Sequence, residues 1–257
     1  MWNETLPFSG IPEKTTPTGH SITFHRSMCW SAPVTTLFLT WHLGTALIVN
    51  GVYNGRYRWA FLSFLCFYAA MEFLQLLQWT YTTPYTDGLF TFCAYLLIWC
   101  QPVMFSLIGV YQSLDPIYEY NLSFSLCSLS VALINLFASL YTGISVVVSN
   151  TPTNFRGSLC TTIGKYGHLS WGFPIYSLDL QPSYFVYLFI IGVCIYKFPR
   201  PLQLTLGLGW FTTLLVSIYL VRGSEEIPAF WCLLSVFTDI PILGYVMKNR
   251  NARVMEL

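Results

Sequence analysis

The sequence predicts an all-α membrane protein: a polytopic bundle of seven transmembrane helices, N-terminus outside and C-terminus cytoplasmic. Three observations carry this. Charged residues make up only 9% of the chain and hydrophobic ones 54%, whereas soluble domains carry about 25% charged residues. Apolar runs of roughly 20 residues, the length that crosses a bilayer, recur along the chain. None of these runs alternates with period two, and a backbone in lipid is satisfied only in helices or closed barrels. The runs are therefore read as helices.

Residues 1–32 form a polar, Pro- and Thr-rich segment outside the membrane, with no apolar core of the kind a cleavable signal peptide needs. The membrane domain, 33–246, opens with a span from Pro33 to Tyr53 and a second from Trp59 to Thr80. The third covers Gly88 to Tyr111. The fourth, Tyr120 to Val148, is long and rich in Ser and Ala, which suits close helix packing. A long outer loop, 149–182, precedes a short fifth span from Ser183 to Phe198. The sixth runs from Pro201 to Val221 and the seventh from Glu226 to Val246, leaving a basic cytoplasmic tail at 247–257.

Orientation rests on where the cations fall. Arg56, Arg58, Lys197, Arg200, Lys248, Arg250 and Arg253 lie in short loops or the tail on one side. Lys14, Arg26, Arg156, Lys165 and Arg222 are spread mainly over a long tail and a long loop on the other. Short basic loops stay in the cytoplasm. A glycosylation sequon at Asn3 agrees with an external N-terminus. Cys29 and Cys160 then share the exterior, where a disulfide between tail and loop is one reading and two separate thiols the other.

Composition excludes several functions. No basic run is present, so no nucleic-acid partner is expected. No Cys/His spacing suits zinc, and there is no HExxH or GxSxG. The seventh span holds no lysine for a retinal Schiff base. No metal, cofactor or enzymatic activity is expected, and the expected partners are the bilayer and a small solute or proton.

What remains is a set of polar residues at membrane depth: His42, Glu72, Gln75, Gln101 and Asp239. A carboxylate near the bilayer centre costs about 2.5–3.5 kcal/mol on insertion scales, so it faces protein or water. Glu72, Gln75 and Gln78 fall within a ~120° arc of one helix. No Lys or Arg lies deep enough to pair with either acid, and the Glu–His–Asp set invites a proton-coupled or cation-binding reading. Against this, Glu72 also reads as a packing acid hydrogen-bonded to Asn135 or a serine, and the amides as interhelical glue. Pro102 and Pro241 sit beside Gln101 and Asp239, and each frees a carbonyl four residues earlier, which reads either as two broken helices in a repeat or as prolines ordinary in membrane helices. In the outer loop, Lys165, His168 and Trp171 form either a lid or binding rim, or a solvated glycine-bent surface.

Three strings together resemble an uncharacterised family of multi-pass membrane proteins. They are Cys29 to Ala32 (CWSA), Met71 and Glu72 with Gln75, and Gly164 to Leu169 (GKYGHL) with Trp171. The resemblance implies seven spans and suggests that the outer loop and Glu72 belong to one site. The leading functional expectation is movement or binding of a small solute or proton through a polar intramembrane cavity. A receptor or sensor without transport is the alternative, and an intramembrane lipid-modifying enzyme the second.

Overall fold

A computed structural model describes residues 31–81, 87–114, 122–149, 160–164, 167–172, 184–198, 200–221 and 226–250. Four long helices come first: α1 (Ala32–Val52), α2 (Arg58–Tyr81), α3 (Asp87–Ser113) and α4 (Leu122–Ser149). Two short strands follow, β1 (Cys160–Ile163) and β2 (Leu169–Gly172), then α5 (Tyr184–Lys197). The sixth helical stretch is composite: α6 (Arg200–Leu202), a π-helical segment (Gln203–Gly207) and α7 (Leu208–Leu220). So is the last, built of α8 (Ile227–Leu234), a 3-10 turn (Ser235–Thr238) and α9 (Asp239–Lys248).

Six of these helical stretches are long and apolar enough to cross a membrane. α5, at 14 residues, spans about 21 Å at 1.5 Å per residue, against a hydrocarbon core of about 30 Å. The expected fifth crossing is thus an apolar helix below spanning length among the described residues.

Local sequence explains the ends and the interiors. Pro33 sits in the first turn of α1, where its missing N–H costs nothing. Asp87 lies in the first turn of α3 and Lys248 in the last turn of α9, each complementing the helix dipole. Hydroxyls within the apolar helices bond back to their own backbone, as Thr36 does to the Ala32 carbonyl at 2.8 Å and Ser139 to that of Asn135 at 2.7 Å. Lipid offers such groups no other partner.

α2 is the central element. It packs on α1, α3 and α8, while α3 also meets α4 and α5, and α9 closes against α1. Its buried residues Phe61, Phe64, Leu65, Tyr68, Met71 and Glu72 recur at helical spacing. Large apolar side chains such as Leu47, Phe137, Tyr141 and Tyr219 point outward, while His42, Glu72, Gln101 and Asp239 are buried. This apolar-out, polar-in distribution suits a multi-pass protein in lipid.

The two prolines behave differently. α3 continues without interruption through Pro102, which favours the reading as an ordinary membrane-helix proline over a break there. The last stretch tightens into the 3-10 turn just before Pro241, with the Ser235 and Thr238 hydroxyls donating to the carbonyls of Cys232 and Ser235, each at 2.5 Å. Gly209 of α7 lets that turn approach closely: a Cβ there would sit 2.8 Å from Thr238 Cγ2.

The strands form an antiparallel hairpin, Cys160 opposite Gly172 and Ile163 opposite Leu169. Gly164 and Gly167 close it, with Gly167 at φ 81°, a left-handed conformation that glycine adopts without strain. An element expected to be only a loop thus carries regular structure in an otherwise helical fold.

Candidate functional site

His42 lies on the buried face of α1 with Thr35, Thr45, Ala46 and Val49. Its Nδ1 meets both carboxylate oxygens of Asp239, 3.1 Å from Oδ1 and 3.0 Å from Oδ2, and neither side chain is exposed. Thr45, one turn along α1, also bonds the Asp239 carboxyl. The other ring nitrogen, Nε2, is 3.5 Å from Ser235 Oγ. Ser235 stands four residues before Asp239, so one imidazole bridges two turns of the broken last helix. Carboxylate, imidazole and hydroxyl follow one another as in a hydrolase triad. The Ser235 hydroxyl, however, donates to the Cys232 carbonyl at 2.5 Å and makes its longest contact with His42. The set therefore reads as an interhelical clamp.

Tyr68 of α2 lies beside this clamp, its ring centroid 6.2 Å from that of His42. Its hydroxyl accepts a hydrogen bond from the Gln101 amide, and Gln101 Oε1 accepts one from the Tyr187 hydroxyl. Gln101 thus joins α2, α3 and α5.

Glu72 follows Tyr68 by one turn and is fully buried. Neither carboxyl oxygen has a hydrogen-bond partner among the described residues. The carboxyl lies within electrostatic range of Cys232 on α8. Asn135, a possible partner from sequence, instead bonds its own helix at the Val131 carbonyl, 2.9 Å away. Gln75 reaches the Ala229 carbonyl of α8 at 3.5 Å.

Gln78, the third polar residue on this flank, belongs to the hairpin. Its Nε2 donates to Thr161 Oγ1 at 3.0 Å and its Oε1 accepts from Trp171 Nε1 at 3.1 Å. Asp87 Oδ1 accepts from the Thr161 backbone N–H at 2.9 Å, and the Thr91 and Thr161 hydroxyls are 2.6 Å apart. The ends of α2 and α3 thus grip β1. On the other strand, Trp171 is 1% exposed and His168 6% exposed. The His168 ring lies 4.5 Å from that of Phe230, and burial pushes its pKa down to about 4. Both residues face inward, against the expectation of a solvated glycine-bent surface, and they anchor the hairpin on the ends of α2, α3 and α8. Cys160 is half-buried at the start of β1. Cys29, Lys165 and Asn3 lie outside the described residues.

A cavity of about 200 Å³ opens between α2, α3, α5, α7 and α8, walled by Phe67, Met71, Gln101, Tyr187, Trp231 and Cys232 among others. A far smaller one, about 10 Å³, lies under the hairpin between Gln75, Trp79, His168 and Phe230; that is room for about one water. Among the described residues no group of three His, Cys, Asp or Glu side chains is placed to hold a metal.

Sequence reasoning found His42, Glu72, Gln75, Gln101 and Asp239, and the structure brings His42 and Asp239 into contact. It missed Tyr68 and Tyr187, which read as ordinary aromatics, and Ser235, whose only signal was its four-residue spacing from Asp239.

Comparison with known proteins adds a relationship without an activity. The chain is similar to the uncharacterized protein R287 of Acanthamoeba polyphaga mimivirus, 27% identical over 244 residues that cover 85% of this chain and 96% of that protein. No solved structure matches it. Residues 35–255 match DUF5765, a family of unknown function. That match takes in Glu72 and the hairpin and begins after the CWSA string. Since it covers most of the sequence, the chain belongs to the DUF5765 family.

Proposed function

We infer that this is a seven-pass membrane protein, N-terminus outside and C-terminus cytoplasmic, whose polar interior binds or moves a small solute or proton. α5 belongs to the remaining crossing. Glu72 is the central group, Gln75 and Gln101 orient what binds there, and the His42–Asp239 pair holds the interior together beside it. One observation carries the reading: Glu72 is buried in the middle of a spanning helix, and neither carboxyl oxygen has a hydrogen-bond partner among the described residues. An acid kept at that cost without a packing role is a functional group by default.

The test is proton and ion flux in vesicles carrying the purified protein, wild type beside Glu72→Gln. Flux that is lost in the mutant supports transport. Absence of flux in both, with the mutant still folded, overturns transport and leaves ligand binding without translocation, the receptor reading. The cavity beside Gln101 favours that second reading.

A further inference from the structure

We propose that the groove between α2 and α3 holds an acyl chain of an anionic phospholipid, whose phosphate is bound by Arg58 at the groove mouth. This site is separate from Glu72 and stands whether or not a solute or proton moves through the interior.

The groove has a volume of about 560 Å³, with Trp59, Ser63 and Phe67 of α2 on one side and Cys100, Leu107 and Tyr111 of α3 on the other. From Trp59 to Phe67 it follows α2 for about 12 Å at 1.5 Å per residue. It is therefore a slot for hydrocarbon that runs from a helix end into the apolar depth. Trp59 and Tyr111 are 61% and 51% exposed at its outer end, and exposed Trp and Tyr mark the level of the lipid headgroups.

Charge decides which lipid. The Arg58 guanidinium carbon lies 5.7 Å from the centre of the Trp59 ring, so the cation stands against a residue of the groove wall. Its Nη1 and Nη2 donate to the side-chain oxygens of Asn54 and Asn50, at 3.4 and 2.5 Å. Both partners are neutral, and Nε has no hydrogen-bond partner among the described residues. The described acids lie elsewhere. Glu72 and Asp239 are buried within the bundle, while Asp87 bonds Thr161 of the hairpin and Glu226 abuts Gly164 at its turn. A guanidinium held in place without a carboxylate complements a phosphate, which it binds by charge-assisted hydrogen bonds.

Ser63, exposed and lining the groove, lies about 7.5 Å deeper along α2 than Arg58. It offers a hydroxyl where the ester carbonyls of a lipid follow its phosphate. On the orientation inferred above, this helix end meets the cytoplasmic leaflet, where anionic lipids attract basic segments.

The experiment is native mass spectrometry of the purified full chain, titrated in detergent with phosphatidylglycerol or with phosphatidylcholine of the same acyl chains. Wild type is expected to bind phosphatidylglycerol about tenfold tighter, the scale of one hydrogen bond to a charged group. Arg58→Gln loses that preference. Arg200→Gln, which removes an exposed cation at the start of α6, keeps it. Ser63→Trp fills the groove at an exposed position, where folding is least at risk, and weakens both lipids. Equal binding of the two lipids by wild type overturns the proposal, as does a preference that survives in Arg58→Gln. Equal losses in Arg58→Gln and Arg200→Gln would mean general surface charge and no site. Full binding by Ser63→Trp, or competition by inorganic phosphate alone as strong as that by phosphatidylglycerol, would remove the groove from the account.

Discussion

Asp239 on the last helix meets His42 of the first, with Nδ1 in hydrogen-bond geometry 3.1 Å from Oδ1 and in ion-pair range of Oδ2 at 3.0 Å. This contact ties the two ends of the membrane domain together and occupies one of the two acids that are 0% exposed among the described residues. Removing one partner leaves the other polar and unmatched, which costs about 3–5 kcal/mol for a buried pair. His42→Ala and Asp239→Ala are each expected to lower stability on that scale. The double mutant is expected to lose less than their sum, read as a coupling energy from thermal unfolding in detergent. Additive losses would mean that the pair is not a clamp.

Glu72 predicts the reverse. It forms no hydrogen bond to lose among the described residues, so Glu72→Gln is expected to keep or slightly raise Tm, because it removes an uncompensated buried acid. A loss above about 1 kcal/mol, the usual net value of a hydrogen bond, would point to a structural partner for this carboxyl.

The hairpin carries a pH dependence whose sign is fixed. The His168 pKa is lowered to about 4 by burial, against an unperturbed value of about 6.5. The unfolded or undocked segment therefore binds the proton more readily. Docking is fully stable above about pH 6.5 and weakens as pH falls towards 4. Amide exchange of Thr161 to Ile163 and Leu169 to Trp171 should accelerate over that window. His168→Phe keeps the ring against Phe230 and should abolish the acceleration. Equal pH dependence in the variant would place the titrating group elsewhere.

Gly209 and Gly44 make a matched test of packing. A Cβ at Gly209 meets Thr238 Cγ2 at 2.8 Å and its Cβ at 3.1 Å, whereas one at Gly44 meets nothing within 4 Å. Gly209→Ala is expected to lose about 1–3 kcal/mol as the 3-10 turn before Asp239 is displaced. Gly44→Ala should be neutral. Equal effects in thermal unfolding would contradict this account of the helix contact.

The long helices were legible because lipid leaves the backbone no alternative and apolar runs mark them directly: α1, α2 and α4 begin and end within a few residues of the expected bounds. The buried acids were legible for the same reason, since a charge in an apolar run stands out. The hairpin was not. Four-residue strands such as Cys160–Ile163 carry too little alternation, and what fixes them is distant: Gln78, Asp87 and Phe230. The different fates of Pro102 and Pro241 were equally hidden. Each proline frees a carbonyl, and only the packing and hydroxyls around Ser235 and Thr238 turned one of them into a 3-10 turn. Tyr68 and Tyr187 became visible as polar groups only when three helices brought Gln101 between them.

We propose a division of labour in which Asp239 is engaged by His42 and Glu72 is the acid open for function. Dicyclohexylcarbodiimide, an apolar reagent for membrane-embedded carboxyl groups, tests it directly when the labelled residue is located by mass spectrometry of the protein in vesicles. Modification is expected at Glu72 and absent in Glu72→Gln, with Asp239 unmodified unless His42 is replaced. Modification of Asp239 in the wild type with Glu72 untouched would contradict it.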